Sequence, residues 1–425
     1  MIRSRWSLER KLLLVLLLAP LLGLVGVVAG EVVPDGRIAY NLLRGHRTGI
    51  FGVEERPPTP LGTTMDRYTE CVAVTVGLGD PAGSSLLESA VVSPAYRGCR
   101  RAVARLEQLD ATGELAEAPL YLRYWHGYTV VTRPSLAIFG LAGARWVALG
   151  LLAASVTVLV ASVKRAVGAL PAVTLVVPGL LTTDLMLGGL TIPHAIGLGA
   201  TFFGGWIAFA AVSRRPIWIV AALAAALAGT VMAYVDLLTT MPGSLALAAV
   251  GATIAVFAAG AGPAWWVTAA GVVGWGLGLA WMWAWKWVFA AVAVGPERVV
   301  DEVRSQVEFR LAGEHEGISD SPVRGLTSNV EYWWDRPLTP LVVVAVLAVV
   351  VTVTARNRHR LSGQVALCVA IVVVPVVIWY LALSNHNQIH VWLTYRSIPL
   401  AFGALGALVL AAAMAPTTPA PSATG

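Results

Sequence analysis

The sequence predicts an all-α polytopic membrane protein with about ten transmembrane helices. Apolar runs of roughly 17–25 residues recur along the chain, which is the length needed to cross the ~30 Å hydrocarbon core of a bilayer. The 425 residues are 57% hydrophobic with a mean hydropathy of +0.73, far too apolar for a soluble globule. Short basic clusters separate the runs, as the positive-inside rule expects of cytoplasmic turns. The net charge of +6 is thus spread over membrane turns, and we predict no nucleic-acid partner.

The predicted spans cover residues 11–30, 142–163, 169–186, 194–212, 216–235, 242–260, 264–285, 338–355, 363–382 and 397–415. The N-terminus is predicted to be cytoplasmic, because the basic residues at 3–11, 164–165, 214–215 and 356–360 then all face the cytoplasm. The first run, Lys11–Gly30, has the basic start and small-residue end of a signal peptide. Its length of about 20 apolar residues exceeds a signal h-region, so we interpret it as an uncleaved span. We therefore expect a multi-pass protein of the plasma membrane.

Two long polar segments divide the chain, and both are predicted to lie outside the cytoplasm. Of the 24 acidic residues, only Glu9 falls on the predicted cytoplasmic side, so we expect a polar site on the outer face. The predicted regions are a cytoplasmic N-terminus with the first span (1–30), a first extracytoplasmic loop (31–134), spans two to seven (135–291), a second large outer loop (292–337), spans eight to ten (338–415) and a disordered tail (416–425).

Helical spacing predicts short helices within both loops. In the first loop these are Ser84–Val92 and Tyr96–Leu109, and Ser135–Leu141 is expected to lie along the membrane surface before span two. In the second loop, Pro296 begins an amphipathic helix whose apolar face would carry Val300, Val303, Val307 and Leu311.

Cysteine placement predicts one disulfide. Cys71 and Cys99 both lie in the first outer loop, in an oxidising compartment, and a bond between them would close a loop of about 30 residues. Cys368 lies within a late span and is interpreted as a small buried apolar residue.

Asp66 and Glu70 form the first candidate site. In a helix they share one face, and two neighbouring carboxylates raise at least one pKa, which suits a general base or a cation ligand. The alternative is a solvated helix start with Asp66 as its N-cap and Glu70 exposed.

Arginines and aromatic residues precede span two and form the second candidate, with Arg123, Tyr124, Trp125, His126 and Arg133. Such a stretch is typical of an interfacial aromatic belt. It is equally typical of a pocket in which aromatic rings stack on a sugar and arginine binds a phosphate through two hydrogen bonds.

Lys286 lies among four tryptophans at the outer end of span seven. It could extend to the surface like any interfacial lysine, or it could neutralise a lipid phosphate. We predict the phosphate contact.

The last candidate lies between spans nine and ten and comprises His386, His390, Tyr395 and Arg396. The two histidines have the i, i+4 spacing that can chelate a metal, but no acidic residue lies nearby in sequence. We expect hydrogen bonds to a polar ligand instead, with Arg396 on an anion. Asp184, His194 and Asp236 face the same side and are either helix caps or members of the site.

This topology resembles the GT-C class of membrane glycosyltransferases, which use polyprenyl-phosphate donors on the outer face. The resemblance covers the whole chain as topology, and as motif only the acidic residues Asp66 and Glu70 and also Asp35 in Pro34-Asp35-Gly36. It implies that an acidic residue of the first outer loop is the general base or a metal ligand, assigned first to Asp66 and second to Glu70. The class places its acid just after span one, where this sequence has Asp35. The sequence shows no nucleotide-binding motif and no predicted cytoplasmic domain large enough to bind a soluble nucleotide donor. A transferase of this topology would therefore need an activated donor that is itself in the membrane.

The sequence therefore predicts transfer of a sugar from a polyprenyl-phosphate donor to a glycan, lipid or exported protein, with inversion at the anomeric carbon. Arg123, Arg133, Lys286 and Arg396 are the candidate phosphate ligands. No cofactor is demanded by any motif, and a divalent cation remains an open alternative. A transporter or flippase of a lipid-linked saccharide is the second hypothesis, and a non-catalytic cell-envelope assembly subunit is the third.

Overall fold

This protein consists mainly of apolar α-helices. The computed structural model describes residues 7–59, 64–79, 84–183, 191–236, 238–311 and 317–415. Within those ranges the secondary structure is helical, and the only β-type pairing is a single bridge between Pro58 and Thr64. Asp184 and the tail 416–425 lie outside the described residues, so the predictions about them stay predictions.

Nine helices of the described residues are long and apolar enough to cross a membrane, which confirms a polytopic helical membrane protein. The first eight are α1 (Leu8–Glu31), α6 (Thr129–Val167), α8 (Ile192–Arg214), α9 (Trp218–Val235), α10 (Met241–Ala259), α11 (Ala264–Val294), α14 (Thr339–Arg356) and α15 (Gly363–Ala382). The ninth is Val391–Met414, which comprises the short α17 (Val391–Thr394) and α18 (Ser397–Met414).

The predicted third span, 169–186, is shorter than expected in the described chain. It forms α7 (Ala169–Leu181), whose 13 residues extend only about 20 Å. The helix contains Pro178, whose carbonyl then accepts hydrogen bonds from the backbone and the hydroxyl of Thr182 at the C-cap. Ten spans were predicted because hydropathy measures the length of an apolar run, and it does not show that the helix in this run ends at Leu181.

The smaller helices belong to the two long polar segments. In the first they are α2 (Asp35–Arg47), α3 (Arg67–Thr75), α4 (Leu86–Val92) and α5 (Cys99–Thr112), and after it come α12 (Pro296–Leu311), α13 (Pro322–Trp334), α16 (Ser384–Ile389) and α17 (Val391–Thr394). A 3₁₀ turn at Arg358–Arg360 follows α14. Helices α4, α5 and α12 confirm the predicted helical segments, whereas α2 and α13 were not predicted.

Gly140 breaks the long helix α6 into two segments. Its φ of 67° and ψ of −173° are non-helical, a conformation that glycine adopts without steric cost. The chain therefore changes direction between residues 129–139 and 141–167, which agrees with a separate segment ahead of span two.

Helices α9 and α11 pack backbone to backbone. A Cβ atom on Gly274 would lie 2.1 Å from the carbonyl oxygen of Ala222, and one on Gly278 would lie 1.9 Å from that of Ala226. Both glycines face α9 one turn apart, because four residues advance slightly more than one turn. Small residues thus permit the close approach that stabilises helix pairs in lipid.

The two ends of the bundle carry different chemistry. At one end Arg215, after α8, forms an ion pair with Glu9 in the first turn of α1, and Arg360 donates to the carbonyl oxygen of Ala415 after α18. At the other end of α1, Glu31 pairs with Arg133 at the start of α6. The basic turns and the long polar segment that follows α1 therefore lie at opposite ends.

Candidate functional site

A polar cavity lies where the first long segment, α12 and the chain after α15 meet. Its volume is about 130 Å³, and its walls carry three arginines, two histidines and three tyrosines. These polar side chains are Arg97, Arg123, Arg310, His386, His390, Tyr68, Tyr121 and Tyr124. Four of the predicted binding residues (Arg123, Tyr124, His386 and His390) converge here.

An apolar groove continues from this polar cavity. It has a volume of about 240 Å³ and shares Arg123, Leu238 and Arg310 with the cavity. Most of its other lining residues come from α11, α12 and the end of α15. The apolar lining residues are Leu122, Trp283, Trp287, Ala290, Val299, Val303, Val307, Trp379 and Leu383. A single ligand with an apolar tail and a polar head would fit both spaces.

The groove side of α12 carries only part of the predicted apolar face. Val303 and Val307 line the groove, whereas Val300 is 57% exposed and does not. Val299, which is buried, and the polar residues Glu302, Gln306 and Arg310 line the groove as well. The helix therefore presents a mixed apolar and polar surface to the groove.

Arg310 is the main cation of the polar cavity. It donates from Nη2 to the hydroxyl of Tyr124 at 2.7 Å, while its buried Nε has no hydrogen-bond partner within the described residues. Arg123 instead pairs with Glu302 at 2.9 Å. Arg310 therefore keeps a positive charge that no carboxylate of the described chain neutralises.

His386 and His390 present further unpaired nitrogens. His386 Nε2 and His390 Nδ1 are buried without a hydrogen-bond partner in the described part of the chain, and the two rings lie 4.9 Å apart. Burial and the charges of His390 and Arg310 hold the pKa of His386 well below its usual value. Burial, with Arg310 next, lowers the pKa of His390 to about 4. Both rings are neutral at pH 7 and can only exchange hydrogen bonds with a ligand.

Asp66 and Arg396 meet through His194, just behind the cavity wall. Asp66 Oδ2 lies 2.8 Å from Nε2 of His194, and Arg396 Nη1 lies 2.8 Å from its Nδ1. Asp66 also accepts the backbone N–H of Thr69 at 3.0 Å, which makes it the N-cap of α3. Thr69 lines the polar cavity, so the carboxylate is positioned next to it.

The Asp66 carboxylate is ionised. Burial would raise its pKa, but the hydrogen bond and charge of His194, with the charge of Arg396, lower the pKa to about 2. The predicted capping role and a role near the site are thus compatible, because one oxygen caps α3 and the other holds His194.

Glu70 and Asp35 are occupied by arginines. Both oxygens of Glu70 accept hydrogen bonds from Arg145, at 2.9 and 2.5 Å, and one also accepts the backbone N–H of Ile192. Asp35 pairs with Arg133 at 2.5 Å. Glu70 is buried rather than exposed, and neither acid is part of the cavity wall.

Arg133 joins three parts of the chain instead of contacting the cavity. Its Nε donates to the carbonyl oxygen of Gly30 and its Nη1 to that of Val76, while Nη2 pairs with Asp35 and Glu31. This network links the end of α1, the start of α2 and the end of α3 to α6.

Lys286 is buried in the packing between α11 and the first long segment. Its Nζ donates to the carbonyl oxygen of Val91, and the side chain is 1% exposed. Trp125, whose ring lies 5.9 Å from Nζ, donates from Nε1 to the carbonyl oxygen of Met282 at 2.7 Å. The wall of the polar cavity does not include Lys286.

His126 and Tyr395 also pack away from the cavity. His126 contacts the hydroxyl of Tyr128 at 3.1 Å, and burial with the charge of Lys286 lowers its pKa to about 3. Tyr395 is fully buried, with its ring 5.0 Å from that of Tyr332.

The disulfide is confirmed. Cys71 in α3 is bonded to Cys99 at the start of α5, and Cys368 is a buried free thiol. The bond anchors the helix that Asp66 caps.

The sequence did not indicate Arg97 and Arg310 as site residues. It also did not reveal that His194 connects Asp66 to Arg396. Among the described residues no three His, Cys, Asp or Glu side chains cluster in a way that could hold a metal ion. No family model matches the chain, and no curated protein or solved structure matches it significantly.

Proposed function

We propose that this protein is a GT-C-type glycosyltransferase that moves a sugar from a polyprenyl-phosphate donor to an acceptor hydroxyl, on the face where the long polar segments lie. One observation carries the proposal: the apolar groove runs into a polar cavity that holds an unneutralised arginine. A polyprenyl-phosphate sugar has the matching parts, an apolar chain joined to an anionic phosphate and a polar ring. We expect this face to be extracytoplasmic, from the basic turns at the other end.

Arg310 has the position to bind the phosphate, between the groove and the cavity. A glycosyl phosphodiester carries one negative charge, and cleavage of its C–O bond leaves a phosphate monoester with up to two. Arg310 and the unpaired imidazole nitrogens of His386 and His390 would stabilise this developing charge. The tyrosines and Arg97 line the space left for the sugar.

The proton of the acceptor hydroxyl must pass to a base as the new glycosidic bond forms. We assign this role to Asp66, which is ionised and lies behind Thr69. Proton transfer requires Asp66 Oδ2 to exchange its contact with His194 for one with the acceptor. A carboxylate of such low pKa takes the proton late, when the attacking oxygen has become acidic. Attack opposite the leaving phosphate inverts the anomeric carbon.

The test is a transfer assay with purified protein in liposomes, using polyprenyl-phosphate mannose and glucose with a panel of glycan and lipid acceptors. Loss of donor with release of polyprenyl phosphate is expected for the wild type and not for Asp66→Asn. Movement of intact donor between leaflets without transfer would instead establish the flippase hypothesis. An unchanged rate in Asp66→Asn would remove Asp66 as the base.

A further inference from the structure

A second polar and apolar surface lies away from the polar cavity, between α2 and the break in α6. Its cavity of about 350 Å³ has Asn41, Arg44 and Thr48 on one wall and Ile138, Phe139 and Gly140 among the residues of the other. Asn41 donates from Nδ2 to the carbonyl oxygens of Leu136 and Ala137, at 2.9 and 3.0 Å, so the two walls are fixed to each other.

The exposed face of α2 beside this cavity is basic. Arg37, Tyr40 and Arg44 are exposed and share one face, since they follow a spacing of three and four residues. Within the described residues, neither guanidinium forms an ion pair or a side-chain hydrogen bond. By contrast, Arg47 on the same helix pairs with Asp110 at 2.5 Å.

The α6 wall is apolar and exposed. Ile138 and Phe139 are 66% and 62% exposed, and both directly precede the break at Gly140. Residues 141–167 extend roughly 40 Å, which exceeds the hydrocarbon core, and α2 begins four residues after α1 ends. Both walls therefore lie at the level where apolar chains give way to headgroups.

We propose that this surface binds an anionic phospholipid, with its phosphate at Arg37 and Arg44 and its acyl chains along Ile138 and Phe139. Charge complementarity selects this occupant, because Arg44 lines the cavity together with the exposed Ile138 and Phe139, and Arg37 lies two turns earlier on the same exposed face of α2. Tyr40 is an amphipathic ring of the kind that lies at headgroup depth. A lipid bound here would hold α2 on the membrane surface. This proposal is independent of the glycosyltransferase assignment.

The test is native mass spectrometry of the full-length protein, titrated with phosphatidylglycerol or phosphatidylcholine. The protein carries Arg310→Gln throughout, so that the polar cavity contributes little. We expect the Arg310→Gln protein to bind phosphatidylglycerol more tightly than phosphatidylcholine. Adding Arg37→Gln and Arg44→Gln should weaken the binding of phosphatidylglycerol about thirtyfold, as expected for two cations near a surface. The control pair Arg100→Gln/Arg101→Gln removes exposed arginines from α5 and should leave binding unchanged.

The proposal is overturned if both lipids bind the Arg310→Gln protein equally well. It is also overturned if the α2 pair and the α5 control pair weaken the binding of phosphatidylglycerol to the same degree. Thermal unfolding in detergent shows whether each variant is folded. All four arginines are exposed, so these substitutions should not shift the midpoint.

Discussion

Asp66 and Arg396 contact opposite sides of the imidazole ring of His194. The ring thereby joins two residues that are far apart in sequence, since Asp66 directly precedes α3 and Arg396 directly precedes α18. The contact links the first long polar segment to two membrane helices. His194 itself is in the first turn of α8. On the proposed function, these contacts hold Asp66 next to the polar cavity until Asp66 exchanges His194 for the acceptor hydroxyl.

His194→Ala should separate Asp66 from Arg396 and leave two buried charges poorly paired. We expect the free energy of unfolding to fall by about 3 kcal/mol, because removing one member of a buried charged network strands the others. Transfer should fall about a hundredfold. Thermal unfolding and the transfer assay measure the two effects, and His194→Gln, which can still donate to Asp66, should recover part of both. If His194→Ala matches the wild type in both, the network has no role.

Arg310→Gln should lower kcat/KM for the lipid donor by roughly 10²–10³-fold, as expected for loss of one strong donor to a developing anion. The matched control is Arg304→Gln, on the same helix but exposed to solvent. Steady-state kinetics over a range of donor concentrations measure both variants. Equal losses in the two would argue for a general charge effect and against a specific phosphate contact.

Glu70→Gln should act mainly on stability. It leaves the partly buried Arg145 without its carboxylate, and we expect a loss of about 3–5 kcal/mol in the free energy of unfolding. In any fraction that remains folded, the transfer rate per molecule should change less than in Asp66→Asn. Glu114→Gln, an exposed acid, is the control for stability. A fully stable but inactive Glu70→Gln would instead make Glu70 the better candidate base.

Acid should destabilise the protein through its buried histidines and, at lower pH, also through Asp66. The pKa of His390 is lowered to about 4 in the fold, against about 6.5 when unfolded, so the unfolded state binds more protons between these values. Stability therefore falls as pH drops from about 6.5 to 4, with at most ~1.4 kcal/mol per pH unit from this group. Unfolding midpoints against pH should show a shallower slope there for His390→Gln.

At lower pH Asp66 also contributes, because its pKa is lowered from the usual 3.8 to about 2. Its stabilisation is present above pH 3.8 and is lost as pH falls towards 2. Asp66→Asn should flatten the pH dependence below about pH 4, where the carboxylate of the wild type takes up its proton. An unchanged slope below pH 4 in this variant would contradict the assignment.

Reduction of the disulfide should loosen α3 and α5. A loop of this length contributes roughly 3 kcal/mol by the entropy of the unfolded chain. We expect reductant to lower the unfolding midpoint of the wild type, and a Cys71→Ala/Cys99→Ala variant to be less stable and insensitive to reductant. Cys368→Ala should keep the full sensitivity, because Cys368 is a free thiol.

Hydropathy and charge were enough to predict most spans, because each apolar run is long and local. The cavity could not be predicted in the same way. Arg310 was not predicted as a site residue, because the valines of α12 gave the clearer pattern. Arg133 and Lys286 were predicted to bind phosphate because each is a cation near aromatic residues. Their carbonyl and carboxylate partners come from distant parts of the chain, which sequence spacing does not reveal.

The groove beside Arg310 lies at the ends of helices that also face the bilayer, and Val292 near the end of α11 is 75% exposed. On the proposed function, most of the prenyl tail need never leave the lipid phase. Encounter then occurs by diffusion in two dimensions. The apparent KM should follow the mole fraction of donor in the membrane, and added inert lipid should slow turnover at constant total donor.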